Sequence, residues 1–286
     1  MNAICKPMAL CASFSSLMLL LTLLGSENAR ADEWLDRLFG MGPPDTFTLA
    51  SETLGRDLHV YVRVPQSYEA SDEVWPVIYL LDGGILFPML VPYHFMLTID
   101  EIAPEAIIVG ISYGGLGFAN GNMRSTDYTA ASAEVDHYGG ASVFQAFLEE
   151  QLLPLIDERY RTDPQRRVIV GQSLGGQFVL YTALTRPGLF WGHIAINPAL
   201  HRNLAFFRDY PSKPDGGRAR LFVGAGTLDA PRFREPALEW IDAWIDRADS
   251  HLDLEVASLE GQHHASAAPE AYRVGLRWLF NDQASR

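Results

Sequence analysis

Arg167-Val168-Ile169-Val170-Gly171-Gln172-Ser173-Leu174-Gly175-Gly176-Gln177-Phe178-Val179-Leu180-Tyr181 is the stretch whose reading decides the fold. Val168-Ile169-Val170 is a short run of β-branched residues, the pattern of a strand buried on both faces. Gly171 to Gly175 spells Gly-x-Ser-x-Gly. Leu174 to Thr185 then reads as a helix, ended by Pro187-Gly188. Strand, sharp turn and helix form the context in which this pattern presents a serine hydroxyl as a nucleophile. The glycines answer a geometric need, because the turn is tight and neighbouring backbone comes close.

The pattern occurs a second time, as Gly110-Ile111-Ser112-Tyr113-Gly114. Ser112 also follows a strand, but a loop rich in Gly and Asn comes next, Gly114 to Gly121. No helix follows that could point its N-terminus at an oxyanion. Context therefore selects Ser173. For either serine the bland alternative is a small residue on a tight turn.

Working outward, Thr46 to Ser51 and Leu58 to Val64 flank Leu54-Gly55-Arg56 and predict an antiparallel hairpin. Val77 to Leu81, Ala106 to Val109, Ile194 to Ile196 and Leu221 to Val223 are buried-strand runs. Leu252 to Leu259 is a further strand. Val143 to Tyr160, Pro236 to Ala248 and Pro269 to Phe280 carry helical patterns. Short apolar strands alternating with helices predict an α/β fold, a mostly parallel central sheet covered by helices on both faces. No repeat and no linker interrupts it, so residues 32–286 read as a single domain.

The N-terminus reads differently. Lys6 precedes an apolar stretch from Met8 to Leu24, and Ala29-Arg30-Ala31 fits a small-x-small cleavage site before Asp32-Glu33. Residues 1–31 are expected to be a secretory signal peptide, which makes the chain exported, periplasmic or secreted. The alternative is an uncleaved helix that anchors it. Both cysteines, Cys5 and Cys11, fall in that segment, so the mature chain has neither thiol chemistry nor a disulfide. Leu35, Leu38 and Phe39 suggest a short amphipathic turn.

The chain has 286 residues, 48% of them hydrophobic, and a formal net charge of −13. That composition excludes disorder and a disulfide mini-scaffold. The acidic balance argues against nucleic acid and anionic membrane surfaces as partners. No lasting membrane insertion is expected after signal cleavage.

A serine hydroxyl needs a base to take its proton. Five histidines follow Ser173: His193, His201, His251, His263 and His264. His193 opens an apolar strand and reads as a packed core residue. His251 lies on a polar, surface-like segment. His263-His264 lies in the loop after the last strand and before the last helix, where the order Ser, acid, His puts the base. Adjacent residues rarely face one ion and no cysteine or third histidine is near, so neither metal nor cofactor is expected. For the acid, Leu221 to Val223 leads into Gly224-Ala225-Gly226-Thr227-Leu228-Asp229. A carboxylate at Asp229 would orient the imidazole. Its alternative is a helix cap before Pro231, and Glu239 and Asp242 on the next helix are weaker candidates. Two backbone N–H groups must hold the oxyanion. Leu174 follows the nucleophile, and Gly84 lies in the loop Asp82-Gly83-Gly84 after an earlier strand. A Gly pair that only makes a tight turn is the competing reading there.

Gly114 to Gly140 has little periodicity and is long for a connector, which suits a pocket wall. Arg124, Tyr128 and His137 on it, and His201 opposite, are the expected substrate-binding residues. Tyr138 and Arg202 lie beside them. No large lid insertion follows Ile194 to Ile196, so the site should be open.

At this point the chain resembles the esterase D type of serine hydrolase, in the α/β-hydrolase superfamily. The resemblance runs over nearly all of residues 45–282. It rests on Tyr79-Leu80-Leu81-Asp82-Gly83, Asp127-Tyr128-Thr129, Gly139-Gly140 before a helix, Gly171 to Gly176, and Gly261-Gln262-His263-His264-Ala265-Ser266. It implies an α/β-hydrolase fold, and it makes His264 rather than His263 the base, because relatives commonly read Gly-Glu-Asn/Asp-His there. Such relatives include S-formylglutathione hydrolases, feruloyl-type esterases, mycolyltransferases and esterases of trilactone siderophores, some of them periplasmic. The chain departs from them at Asn197-Pro198-Ala199-Leu200-His201, where relatives often carry Ser-Pro-Ser-Leu-Trp. It departs again at Thr126-Asp127-Tyr128-Thr129-Ala130, where Arg-Asp-Tyr-Thr-Pro is common. The expected activity is serine carboxylic-ester hydrolysis through an acyl-enzyme, on a small or medium ester such as a siderophore lactone or an aryl ester. A non-catalytic binding protein on the same fold, or an acyltransferase with the same residues, are the alternatives.

Overall fold

A computed structural model of the chain describes residues 43–115, 117–211 and 217–281. The expected signal peptide and the turn at Leu35, Leu38 and Phe39 lie outside the described residues.

The hairpin forms as β1 (Asp45–Ser51) and β2 (Arg56–Arg63), with Gly55 at φ +64° in the turn. Then come β3 (Trp75–Leu80), helix α1 (Gly83–Ile99), β4 (Ile107–Ser112) and a short helix α2 (Arg124–Asp127). Helix α3 (Ala141–Phe147) continues through a π turn, Leu148–Leu152, into α4 (Leu153–Arg159). Pro154, which has no N–H to give to the preceding turn, lies two residues past the end of the widened stretch. The chain goes on through β5 (Thr162–Gln172), α5 (Leu174–Thr185), β6 (Gly192–Ile196), α6 (Leu204–Arg208) and β7 (Ala219–Gly226). It ends with α7 (Pro231–Trp244), β8 (Leu252–Leu259) and α8 (Ala268–Asn281).

The eight strands form one sheet in the order β1-β2-β4-β3-β5-β6-β7-β8. Only the β1–β2 and β2–β4 pairs are antiparallel; β3 to β8 run parallel. This is the α/β-hydrolase architecture, as expected. β3 and β5 are neighbours whose chains leave in opposite directions, toward β4 and toward β6. Their connecting helices therefore cover opposite faces, and a crevice opens at the carboxyl ends of the two strands. Gly84 lies in the first turn of the helix after β3, and Ser173 stands between β5 and α5.

Alternation along the parallel strands feeds both layers. Val77, Tyr79, Ile169, Ala195, Leu221 and Val223 pack with Phe144 and Phe178 on one face. On the other, Gly275 of α8 comes close to Ile194 and Phe222. Every residue of β3 and β4 is buried, which is why those strands read as unbroken apolar runs.

Helix α1 was not expected. Its buried stripe, Gly83, Leu86, Phe87, Leu90, Val91, His94 and Leu97, has helical spacing. The other side is also apolar, with Ile85, Met89, Met96 and Ile99 exposed, so the sequence shows no amphipathic period. Pro88 and Pro92 inside it hide the helix further. Helix α7 starts five residues before the expected Pro236, because Pro231 takes the first helical position, where a missing N–H costs nothing.

Candidate active site

Ser173 has φ +60° and ψ −117°, outside the regions open to ordinary L-residues. Such backbone strain costs on the order of 1–3 kcal/mol and persists only where surrounding structure imposes it. Here the imposition is visible. The Ser173 N–H donates to Ile196 O at 2.9 Å, and Ala199 N–H donates to Ser173 O at 3.0 Å. A Cβ on Gly171 would lie 2.3 Å from Gly175 O, and one on Gly176 would lie 2.8 Å from Ile196 O. Gly171 and Gly176 are sterically required, whereas a Cβ on Gly175 would come no closer than 3.4 Å to its neighbours.

His264 and Asp229 meet this serine. His264 Nε2 lies 2.9 Å from Ser173 Oγ, and His264 Nδ1 lies 2.8 Å from Asp229 Oδ2. With Nδ1–H donating to the carboxylate, Nε2 is left to accept the serine proton. Asp229 is buried, and its Oδ1 accepts the Ala230 N–H at 2.6 Å. Ala230, not Asp229, is the residue that precedes the first turn of α7, and no side chain caps that helix, so Asp229 does not act as the helix cap that was its alternative reading. Glu239 is exposed and bonded to Arg208 at 2.6 Å, and Asp242 is exposed. His263 is also exposed, with its N–H on Ser266 Oγ at 3.1 Å, so the adjacent histidines diverge. Among the described residues no three or more of His, Cys, Asp and Glu group as metal ligands.

Leu174 and Gly84 both occupy the first turn of a helix, where backbone N–H groups lack intrahelical acceptors. Asp82, at φ +53°, leads into Gly83-Gly84. Arg124 clamps its carboxylate with Nε on Oδ1 and Nη2 on Oδ2, both at 2.7 Å. Ser112 ends β4 with its Oγ accepting Gly114 N–H at 3.3 Å.

The expected pocket residues divide. Arg124 is paired in a fork with Asp82, the residue before the Gly83-Gly84 turn. Tyr128 needs correction: its side chain is fully buried between Tyr113, Phe144 and Phe178, so it cannot touch substrate. It belongs to the core because the short helix α2 turns it inward, with Asp82 N–H donating to its hydroxyl at 3.4 Å. His137 is exposed, its ring against Tyr138. His201 is half-buried and sets its ring edge on Phe233, 5.0 Å between centroids. Burial, then Arg202 and Arg232 nearby, hold its imidazole below the ordinary histidine range. His193 is the packed core residue expected, with burial lowering it to about 4. His251, expected on the surface, is buried against Trp244 instead.

Three side chains at the site had no role assigned from sequence. Phe233 of α7 stacks on the His264 ring at 4.3 Å and 25°. Gln172 Nε2 donates to His264 O and, at 3.1 Å, to Ala265 O. Asn197 bonds to both the acid and the base loops. Only Asn197 stood out in the sequence, as a departure from the family pattern.

The family model for esterases, described as "Putative esterase", matches residues 51–268. The chain belongs to this esterase family. It is 28% identical over 259 residues to the ferri-bacillibactin esterase BesA of Bacillus subtilis, covering 82% of this chain and 88% of that one. It is 29% identical over 241 residues to the siderophore triacetylfusarinine C esterase of Aspergillus fumigatus, covering 72% and 82%. The crystal structure of an IroE-like serine hydrolase from Shewanella oneidensis superposes with a TM-score of 0.73 at 25% identity, covering 84% and 80%. The esterase is a carboxylic-ester hydrolase. Among the described residues no helix is long and apolar enough to cross a membrane.

Proposed function

We propose that this esterase hydrolyses a siderophore-type ester by a Ser-His-Asp acyl-enzyme mechanism. The relay Asp229–His264–Ser173, at 2.8 and 2.9 Å on a strained strand-to-helix turn, is the observation that carries the proposal. Ser173 Oγ attacks the ester carbonyl carbon while His264 Nε2 takes its proton. The Leu174 and Gly84 N–H groups hold the oxyanion that forms. The tetrahedral intermediate collapses, the C–O bond to the alcohol breaks, and the imidazolium returns its proton to the leaving oxygen. Water then enters, gives its proton to His264 and attacks the acyl carbon. Collapse frees the carboxylic acid and regenerates Ser173. Asp229 keeps the imidazole in the required tautomer and stabilises its cationic form. No cofactor takes part.

The siderophore class rests on the named activities of the Bacillus and Aspergillus relatives. His137 and His201 are proposed to border the substrate. Export belongs to the same reading, with residues 1–31 as signal peptide and 32–286 as one α/β-hydrolase domain.

The test assays the mature chain and its Ser173→Ala variant against a p-nitrophenyl ester, a feruloyl ester and a catecholate trilactone. Turnover of the trilactone above the other two, lost on Ser173→Ala, is the expected result. A preference for the feruloyl ester would replace the substrate class. Turnover that survives Ser173→Ala would overturn the mechanism.

A further inference from the structure

Resting on the mechanism just proposed, we propose that Asn197 is the positioning residue that holds nucleophile, acid and base in mutual register. The three catalytic side chains come from three separate loops, after β5, β7 and β8. Nothing in the relay alone fixes those loops to one another at the accuracy proton transfer needs. Asn197 stands at the end of β6, between the first loop and the other two.

On one side the backbone flanking Asn197 is bonded to the nucleophile. Ile196 O accepts the Ser173 N–H, and Ala199 N–H donates to Ser173 O. On the other side its carboxamide reaches both remaining loops. Oδ1 accepts the Gly226 N–H at 2.7 Å, and Nδ2 donates to His264 O at 3.1 Å and His263 O at 3.2 Å. The amide orientation follows from its partners, since a backbone N–H only donates and carbonyls only accept. Both protons of Nδ2 and the carbonyl are thus used within the catalytic framework.

Acid and base loops are already stitched to each other. Thr227 N–H donates to Leu259 O and Leu228 N–H to Gln262 O, both at 3.0 Å. A Cβ on Gly226 would lie 2.5 Å from Gln262 O, so the two backbones lie in direct contact there. These two loops behave as one unit, and the Asn197 carboxamide ties that unit to the segment bonded to Ser173. Two further features agree with this role. Asn197 is buried, so water does not compete for its amide. It also sits at φ +41°, a conformation that Asn and Asp tolerate better than other side chains.

The test compares Asn197→Ala and Asn197→Asp in the full chain. Asp keeps the acceptor for Gly226 N–H and the tolerance of positive φ, but turns an oxygen toward two carbonyl oxygens. It is near-isosteric and carries the test if the Ala variant does not fold. Turnover per active site is measured with active sites titrated by a fluorophosphonate, alongside KM and the melting temperature. Displacing a base by about 1 Å costs ~100-fold. A kcat loss of that order in both variants, with KM within about threefold, is expected. Fluorophosphonate labelling of Ser173 should slow in parallel, because it needs the same base. A purely structural role would lower the melting temperature and the titratable fraction while leaving kcat per titrated site unchanged, and would overturn the inference. Ser173→Ala separates the two levels. Turnover lost there but kept in the Asn197 variants overturns this inference alone, whereas turnover kept in Ser173→Ala overturns the mechanism beneath it as well.

Discussion

Phe233 lies face to face with His264, 4.3 Å between ring centroids and 25° between planes. The ring supports the imidazole in van der Waals contact and, in the proposed mechanism, offers its electron-rich face to the imidazolium. Such contacts are worth about 1–2 kcal/mol when shielded from water. Phe233→Ala should therefore lower kcat by roughly tenfold with little change in KM, and Phe233→Tyr should retain most of the rate. Steady-state kinetics on one ester checks this; equal rates for all three proteins would mean that the stack is only packing.

Arg124 yields a second prediction through Asp82. Its two N–H groups grip the carboxylate in a fork, and Asp82 leads into the turn of Gly84, whose N–H we propose as an oxyanion donor. Lysine keeps the charge but not the fork. Both Arg124→Ala and Arg124→Lys should lower kcat, by an amount bounded by the roughly 100- to 1000-fold cost of losing an oxyanion donor. If lysine restored full turnover, charge near the substrate would be the role of Arg124, and not the geometry of the turn.

The site was only partly legible in the sequence, and the reasons are physical. Ser173 follows the apolar run Val168 to Val170, Asp229 follows the run Leu221 to Val223, and His264 lies in the loop after the Leu252–Leu259 strand, a local pattern that marks loops at the sheet's carboxyl edge. Phe233 left no trace, because its neighbour His264 is distant in sequence and a lone aromatic on a helix reads as core. Tyr128 was drawn to the pocket by its place in a long aperiodic loop, yet α2 turns it inward among other rings. Helix α1 was lost for a different reason. Its outward side is apolar as well as its inward side, so the 3.6-residue period that marks a helix is absent.

Acid stability follows from His94. It lies buried in α1, where Nε2–H donates to Pro104 O at 3.1 Å and Nδ1 accepts from the Tyr272 hydroxyl at 3.0 Å. Burial holds it neutral, lowering its pKa to about 4. The unfolded chain binds that proton near the usual histidine value of about 6.5, so it gains protons first as pH falls. Stability should therefore decline from about pH 6.5 down to about 4, by on the order of 3 kcal/mol for this residue. His193, also lowered to about 4, adds a decline in the same window. Denaturant unfolding at a series of pH values measures it. His94→Gln should flatten the His94 part; an unchanged slope in that variant would assign the decline to other groups.

The adjacent histidines provide the sharpest separation. Both lie in one loop, and both of their carbonyls accept from the same Asn197 amide, yet their side chains diverge. His264 points in, to Ser173 Oγ on one nitrogen and Asp229 on the other. His263 points out and is exposed. A base must reach the proton it removes, and only one of the pair does. His264→Ala should thus lower kcat by several orders of magnitude, on the scale of losing a triad member. His263→Ala should change it by less than about tenfold, with any effect falling on KM. Asp229→Asn should lie between them, closer to His264→Ala, because the amide can present its NH2 to Nδ1 and favour the tautomer whose Nε2 carries the proton. Measuring kcat for the three variants on one ester ranks them. The reverse order for the two histidines would place the base one residue earlier, and two near-neutral histidine variants would remove the relay from the mechanism altogether.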